Sequence, residues 1–170
     1  MWKYTGEQRP DFADEPSAGQ ESVWDYPRPP AMVTTDATVE VWAGTQRLAR
    51  SSACLRVLET ASPPTYYLPE QDVDWTLLVR TTGSSFCEWK GLAAYWTLVS
   101  QPAASAVAWR YERPCERFEA IDGYISFYPG RVDCFVNSEQ VKPQPGMFYG
   151  GWVTQDITGP FKGKPGTGDW

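Results

Sequence analysis

Residues 75–111, WTLLVRTTGSSFCEWKGLAAYWTLVSQPAASAVAWRY, carry the pattern that decides the fold. Trp75, Leu77 and Val79 alternate with Thr76, Leu78 and Arg80. Gly83-Ser84 is expected to turn the chain into a run from Phe86 to Val99, and Val107, Trp109 and Tyr111 alternate again. Short runs of period two, bounded by turn residues, mark half-buried strands, because successive side chains point to opposite faces.

The same pattern extends outward on both sides. Upstream, Val39, Val41 and Ala43 share a face before a Gly44-Thr45 turn and a strand through Leu48. Residues 53–60 (ACLRVLET) form the next run, followed by a Pro63-Pro64 break and a short Tyr66-Tyr67-Leu68 strand closed by Pro69. Downstream, residues 116–122 (ERFEAID) are the one candidate short helix, ended by Gly123. A hairpin is expected to pair ISFY with VDCFV around Pro129-Gly130-Arg131. About eight short strands with no helices between them predict an all-β domain. It would be a small antiparallel barrel or a tight sandwich with at most one short helix.

This domain is expected over residues 35–137, between two arms. Residues 1–34 hold scattered acids, many prolines and little periodicity, so they read as an extended Pro-rich arm. Trp24, Tyr26 and the Pro27-Arg28-Pro29-Pro30 run suggest that its second half docks on something. Residues 138–170, rich in Gly, Pro and aromatic side chains, cannot build a core alone but are too aromatic for a solvated linker. They read as a C-terminal arm packing on the domain.

Composition excludes several chemistries. The formal charge is -6 and the pI about 4.7, which argues against nucleic acid or an anionic membrane as partner. No run approaches the roughly 18 apolar residues of a membrane span. Histidine is absent, which removes a Ser-His-Asp triad, a Cys-His dyad, a histidine base and any histidine-containing zinc site. Cys54, Cys87, Cys115 and Cys134 form no CxxC pair, and no apolar signal segment opens the chain. Reduced thiols in the cytoplasm, with no metal and no cofactor, are the expectation.

Two residue groups could carry chemistry. In Cys87-Glu88-Trp89-Lys90-Gly91 a lysine lies three positions from a thiol, and a nearby cation can lower a thiol's pKa. Regular pleating would put Cys87 and Lys90 on opposite faces, so only a bulge or turn would bring them together. Otherwise Cys87 packs as a small hydrophobe beside a solvent-facing Lys90. Glu59 shares a strand face with Leu55 and Val57, so its carboxylate needs Lys90, Arg80, a tyrosine hydroxyl or a raised pKa, unless the strand ends before it. Tyr66 and Tyr67 point to opposite faces, as do Tyr95 and Trp96. Asp72 and Asp74 read as turn caps, and phosphate-cradling glycine motifs are missing.

The ordered set Glu59-Thr60, Pro64-Thr65-Tyr66-Tyr67-Leu68-Pro69, Asp72-Val73, Cys87-Glu88-Trp89-Lys90-Gly91, Tyr95-Trp96, Ala108-Trp109-Arg110-Tyr111, Pro114 and Ile125-Ser126-Phe127-Tyr128 resembles the domain-of-unknown-function 427 family. The likeness covers about residues 36–136. The flanks at 21–30 and 150–163 look like its cyanobacterial branch. The resemblance implies a small β domain and no activity. A nucleotidyltransferase label attached to that family finds little support, since Gly83-Ser84 follows Asp72-Val73-Asp74 where that fold places such a turn before its paired carboxylates.

The expected function is a small-ligand or peptide binding module. Its aromatic-lined pocket would use Tyr66, Tyr67, Trp89, Tyr95 and Trp109, with Glu59, Lys90, Arg80 and Cys87 as the polar groups. One alternative is a histidine-independent enzyme with Cys87 as nucleophile or Glu59 as acid/base and Lys90 as electrostatic partner. The other is an interaction subunit that docks a protein partner through its arms.

Overall fold

A computed structural model describes residues 2–146 and 148–170. Its strands, in chain order, are β1 (Glu21–Ser22), β2 (Ala31–Thr34), β3 (Val39–Ala43), β4 (Gln46–Ser51), β5 (Leu55–Leu58), β6 (Thr65–Pro69), β7 (Leu78–Cys87), β8 (Gly91–Leu98), β9 (Ala108–Tyr111), β10 (Tyr124–Phe127), β11 (Asp133–Val136), β12 (Glu139–Gln140), β13 (Lys142–Pro143), β14 (Trp152–Val153) and β15 (Ile157–Thr158). A seven-stranded antiparallel sheet runs β2-β5-β6-β10-β9-β8-β7. A four-stranded antiparallel sheet runs β12-β11-β3-β4. The chain is therefore all-β, and of the two architectures expected it takes the sandwich. The larger sheet stays open because its outer strands, β2 and β7, lie at opposite edges and do not pair. Among the described residues no helix is long and apolar enough to cross a membrane.

The main core lies between the sheets. Val39, Val41, Leu48 and Cys134 from the smaller sheet meet Tyr66, Leu68, Trp96, Ala108, Ile125 and Phe127 from the larger. Each fully buried aliphatic or aromatic side chain there contributes about 1.5–3 kcal/mol. Alternation sends the intervening residues of the larger sheet to its far side. There Val57, Tyr67, Ala93, Trp109 and Tyr111 form a second cluster with Phe118 and Ile121. That second face positions the candidate site.

Both arms are part of the fold. Residues 31–34, assigned above to the N-terminal arm, form β2 and pair with β5 in register from Ala31↔Leu58 to Thr34↔Leu55. Trp152 of the C-terminal segment is fully buried in the main core and donates its indole N–H to Phe127 O at 3.0 Å. The arms also meet each other. β1 pairs in parallel with β15, and Tyr4, Phe12 and Trp170 pack on buried Trp24 with ring centroids 5.2 Å from it or, for Phe12–Trp170, 5.1 Å apart.

Three local expectations need correcting. Gly83-Ser84 does not turn the chain. It lies inside β7, where the register with β8 shifts between Arg80 and Ser84, and the turn falls at Glu88-Trp89-Lys90. Trp75–Leu77 is a 3-10 turn capped by Asp74, so Leu78 starts the strand facing inward and Val79 is the exposed neighbour. ISFY and VDCFV do not form a hairpin. The chain passes from the larger sheet to the smaller at Pro129-Gly130-Arg131, and β10 pairs with β6 and β9 while β11 pairs with β3 and β12. The short helix expected at 116–122 is present as a 3-10 segment over Glu116–Ile121, kinked at Phe118, which is buried in one cluster with Ile121.

Candidate functional site

The far face of the larger sheet is the floor of a cavity of about 630 Å³. Strand alternation explains which side chains reach it. Val57 of β5, Thr65 and Tyr67 of β6, Trp109 and Tyr111 of β9, Tyr95 of β8, and Ser85 and Cys87 of β7 all line it. Cross-strand register keeps them together: Val57 lies opposite Thr65, and Tyr95 opposite Trp109. The floor is bonded to itself as well. Trp109 Nε1–H donates to the Tyr67 hydroxyl at 3.2 Å, and the Ser85 and Tyr95 hydroxyls lie 2.6 Å apart.

The hairpin between β7 and β8 makes one wall. Cys87 pairs with Gly91, leaving Glu88, Trp89 and Lys90 as a three-residue loop closed by Gly91 at φ +99°. A positive φ at the residue that follows the loop is one that glycine adopts without strain. The turn carries Lys90 onto the same side as Cys87, which a straight strand would forbid. Lys90 is 9% exposed, and its ammonium lies 5.7 Å from the ring centre of Tyr111 and 5.6 Å from that of Phe118. The Trp89 indole N–H is buried and has no partner among the described residues.

The C-terminal segment roofs the cavity. A Cβ on Gly150 would stand 2.3 Å from Trp109 Cη2, so only glycine lets the roof pass this close to the floor. Gly151 donates its N–H to Gln144 Oε1 at 3.0 Å, and Gln144 Nε2 donates to Lys162 O at 2.8 Å. Lys162 is also buried. Its ammonium donates to Trp170 O at 2.9 Å and lies 4.7 Å from the centre of the Trp2 ring. Burial, then the Arg28 charge, lowers its pKa. At the rim, Arg131 stacks on Tyr128 at 4.1 Å, and Phe86 and Phe148 are 76% and 79% exposed.

Glu59 also lines the cavity, but its partner is none of those expected. Arg28 from the N-terminal arm donates Nε–H to Glu59 Oε1 at 3.2 Å, with side chains 1% and 24% exposed respectively. The same guanidinium donates to Thr60 O at 2.8 Å and Tyr4 O at 3.2 Å, and covers the Trp2 ring at 4.2 Å.

Of the residues singled out from sequence, Cys87, Glu59, Lys90, Tyr67, Trp89, Tyr95 and Trp109 share this cavity. Tyr66 and Arg80 lie elsewhere. Tyr66 points into the main core against Trp152, where burial pushes its hydroxyl up to about 12. Arg80 stands opposite Trp96, away from the Tyr95 face, and pairs with Glu112 at 2.8 Å. Sequence reasoning missed Trp2, Arg28, Tyr128, Arg131, Gln144, Tyr149 and Lys162 in this region. Tyr111 was missed as well, although it carried a usable signal, being in phase with Trp109.

Burial raises the hydroxyl pKa of Tyr67, Tyr111 and Tyr128 well above the ordinary phenol value, so all three are neutral O–H groups near pH 7. The cavity thus offers phenol, indole and ammonium donors on aromatic walls. Such a surface suits holding and orienting a compact molecule. Fold and cavity together define an all-β sandwich with an aromatic-walled cavity on the outer face of its larger sheet. The chain matches the family described as Domain of unknown function (DUF427) over residues 31–138, and it belongs to that family. No curated protein matches the chain.

Proposed function

We propose that this protein is a small-ligand binding module whose ligand sits between the tyrosine–tryptophan floor and the glycine-bearing roof. One observation carries the reading: Glu59, following β5, and Cys87 and Lys90, from the β7–β8 hairpin, line a single cavity with Tyr67, Trp89, Tyr95 and Trp109. Its volume lies within the range of pockets that enclose drug-sized molecules. An extended peptide suits it less well, since roof and floor touch at Gly150 and Trp109. Docking through the arms is also less favoured, because Tyr4, Phe12, Trp24 and Trp170 are spent on one another. We place the protein in the cytoplasm, a reading supported by four free cysteines, of which Cys115 is exposed.

The test is a fragment screen by ligand-observed NMR, with hits followed in 1H–15N spectra of the tryptophan indoles, on the full chain and on Ser62→Trp, which fills the cavity from a partly exposed lining position. Fragments should bind the wild type, shift the Trp89 Nε1–H resonance and lose binding in the filled variant. Equal binding to both proteins, or no fragment that moves the cavity indoles, overturns the reading. A thiol-based enzyme is the competing reading, because Cys87 opens onto the same space. Alkylation of Cys87 no faster than free cysteine at pH 7 removes it.

A further inference from the structure

We propose that the ligand of this cavity is a small anion with a planar body, an aromatic carboxylate, whose charge is held by Lys90. The inference rests on the cavity being a binding site and adds the chemical class of its occupant. Two neighbouring groups point to it independently. Lys90 is more than nine-tenths buried and lines the cavity, yet none of the ion pairs among the described residues includes a lysine. The rings of Tyr111 and Phe118 attract its charge but lie near the outer limit for such contacts and accept no directional hydrogen bond. The adjacent Trp89 offers a buried indole N–H, also without an acceptor. An unsatisfied buried donor is costly, and the Trp89 N–H, next to a Lys90 ammonium that no carboxylate among the described residues pairs, is best explained by an acceptor that arrives with the ligand.

The charge balance agrees. The chain carries a formal charge of -6, yet this cavity is lined by Lys90, Arg131 and Lys162 against Glu59 and Glu88. Glu59 is already engaged by buried Arg28, which leaves Glu88 as the uncommitted acid. A carboxylate on the ligand would supply the missing negative charge beside Lys90. Trp109 and Tyr128, packed on each other with ring centres 4.3 Å apart, form part of the apolar aromatic wall that its body would rest against.

Isothermal titration of the full chain with indole-3-acetate, indole-3-acetamide and tryptamine separates charge from shape. The acid should bind at least about tenfold more tightly than the amide, with the amine weakest. Lys90→Met should erase the difference between acid and amide. Should that variant fail to fold, Trp89→Phe should still weaken the acid by about threefold or more, the cost of one lost hydrogen bond. Equal affinities for acid and amide in the wild type, or a preference that survives Lys90→Met, overturn the assignment of an anion while leaving the cavity a binding site. If none of these compounds binds, the anion assignment falls. The cavity reading then falls with it only if the fragment screen also fails to distinguish the wild type from Ser62→Trp.

Discussion

Replacing Arg28 by methionine should be the most damaging single change near the cavity, and its cost can be worked from the contacts. The guanidinium, 1% exposed, serves Thr60 O, Tyr4 O and Glu59 and covers Trp2. Each main-chain oxygen left dry costs about 1 kcal/mol. The ion pair adds about 1 kcal/mol, kept small because Glu59 retains 24% exposure and recovers some hydration. Loss of the stacking on Trp2 adds about 0.5–1 kcal/mol, while methionine retains most of the stem packing. The sum is about 3.5–4 kcal/mol, which for a chain of this size lowers Tm by about 7–16 °C. Glu59→Gln alone should cost only about 1 kcal/mol, because Arg28 keeps its other acceptors. Urea unfolding of both single variants and the double variant should give a coupling near 1 kcal/mol. A loss below about 1 kcal/mol for Arg28→Met would refute the view that this residue ties the N-terminal arm to the domain.

Tyr67→Phe removes the acceptor of the buried Trp109 N–H and should cost about 1–2 kcal/mol in urea unfolding; a neutral result would mean that water fills the place. Gly150→Ala puts a methyl group into the Trp109 ring and should cost about 1–3 kcal/mol, whereas Gly168→Ala, with open space around it, should change stability by less than about 0.5 kcal/mol; equal effects would refute the tight roof. Arg56 holds Glu21 below its usual carboxylate pKa of 4.5, so the unfolded chain takes up that proton first. The stabilisation is complete above about pH 4.5 and is lost as pH falls through the lowered value, so Glu21→Gln should flatten the acid limb of the stability profile. An unchanged acid limb in that variant would show that the pair contributes nothing.

Several elements of the site were legible because alternation is a local property. Tyr67 apart from Tyr66, and Tyr95 apart from Trp96, follow from pleating alone, and the structure keeps each pair on opposite faces. Placing Arg80 and Tyr66 at the site failed for a different reason. Residue type suggested both, but face and register exclude them. The misplaced turn at Gly83-Ser84 shows how a glycine in a strand can mark a register shift and not a reversal. Once the reversal is moved to Glu88-Trp89-Lys90, Lys90 joins the side of Cys87.

The order of residues along this chain was enough to establish an all-β domain, a family, the absence of histidine chemistry and the two-faced character of its strands. These rest on composition and on a two-residue period, which any short segment expresses by itself. Tertiary structure alone decided that the sheets form an open sandwich, that the cavity lies on the outer face of the larger sheet, and that Arg28 engages a carboxylate 31 positions away. The arms have no period to read. Their positions are set by which buried groups lack partners once the strands have paired, and that is a property of the assembled chain.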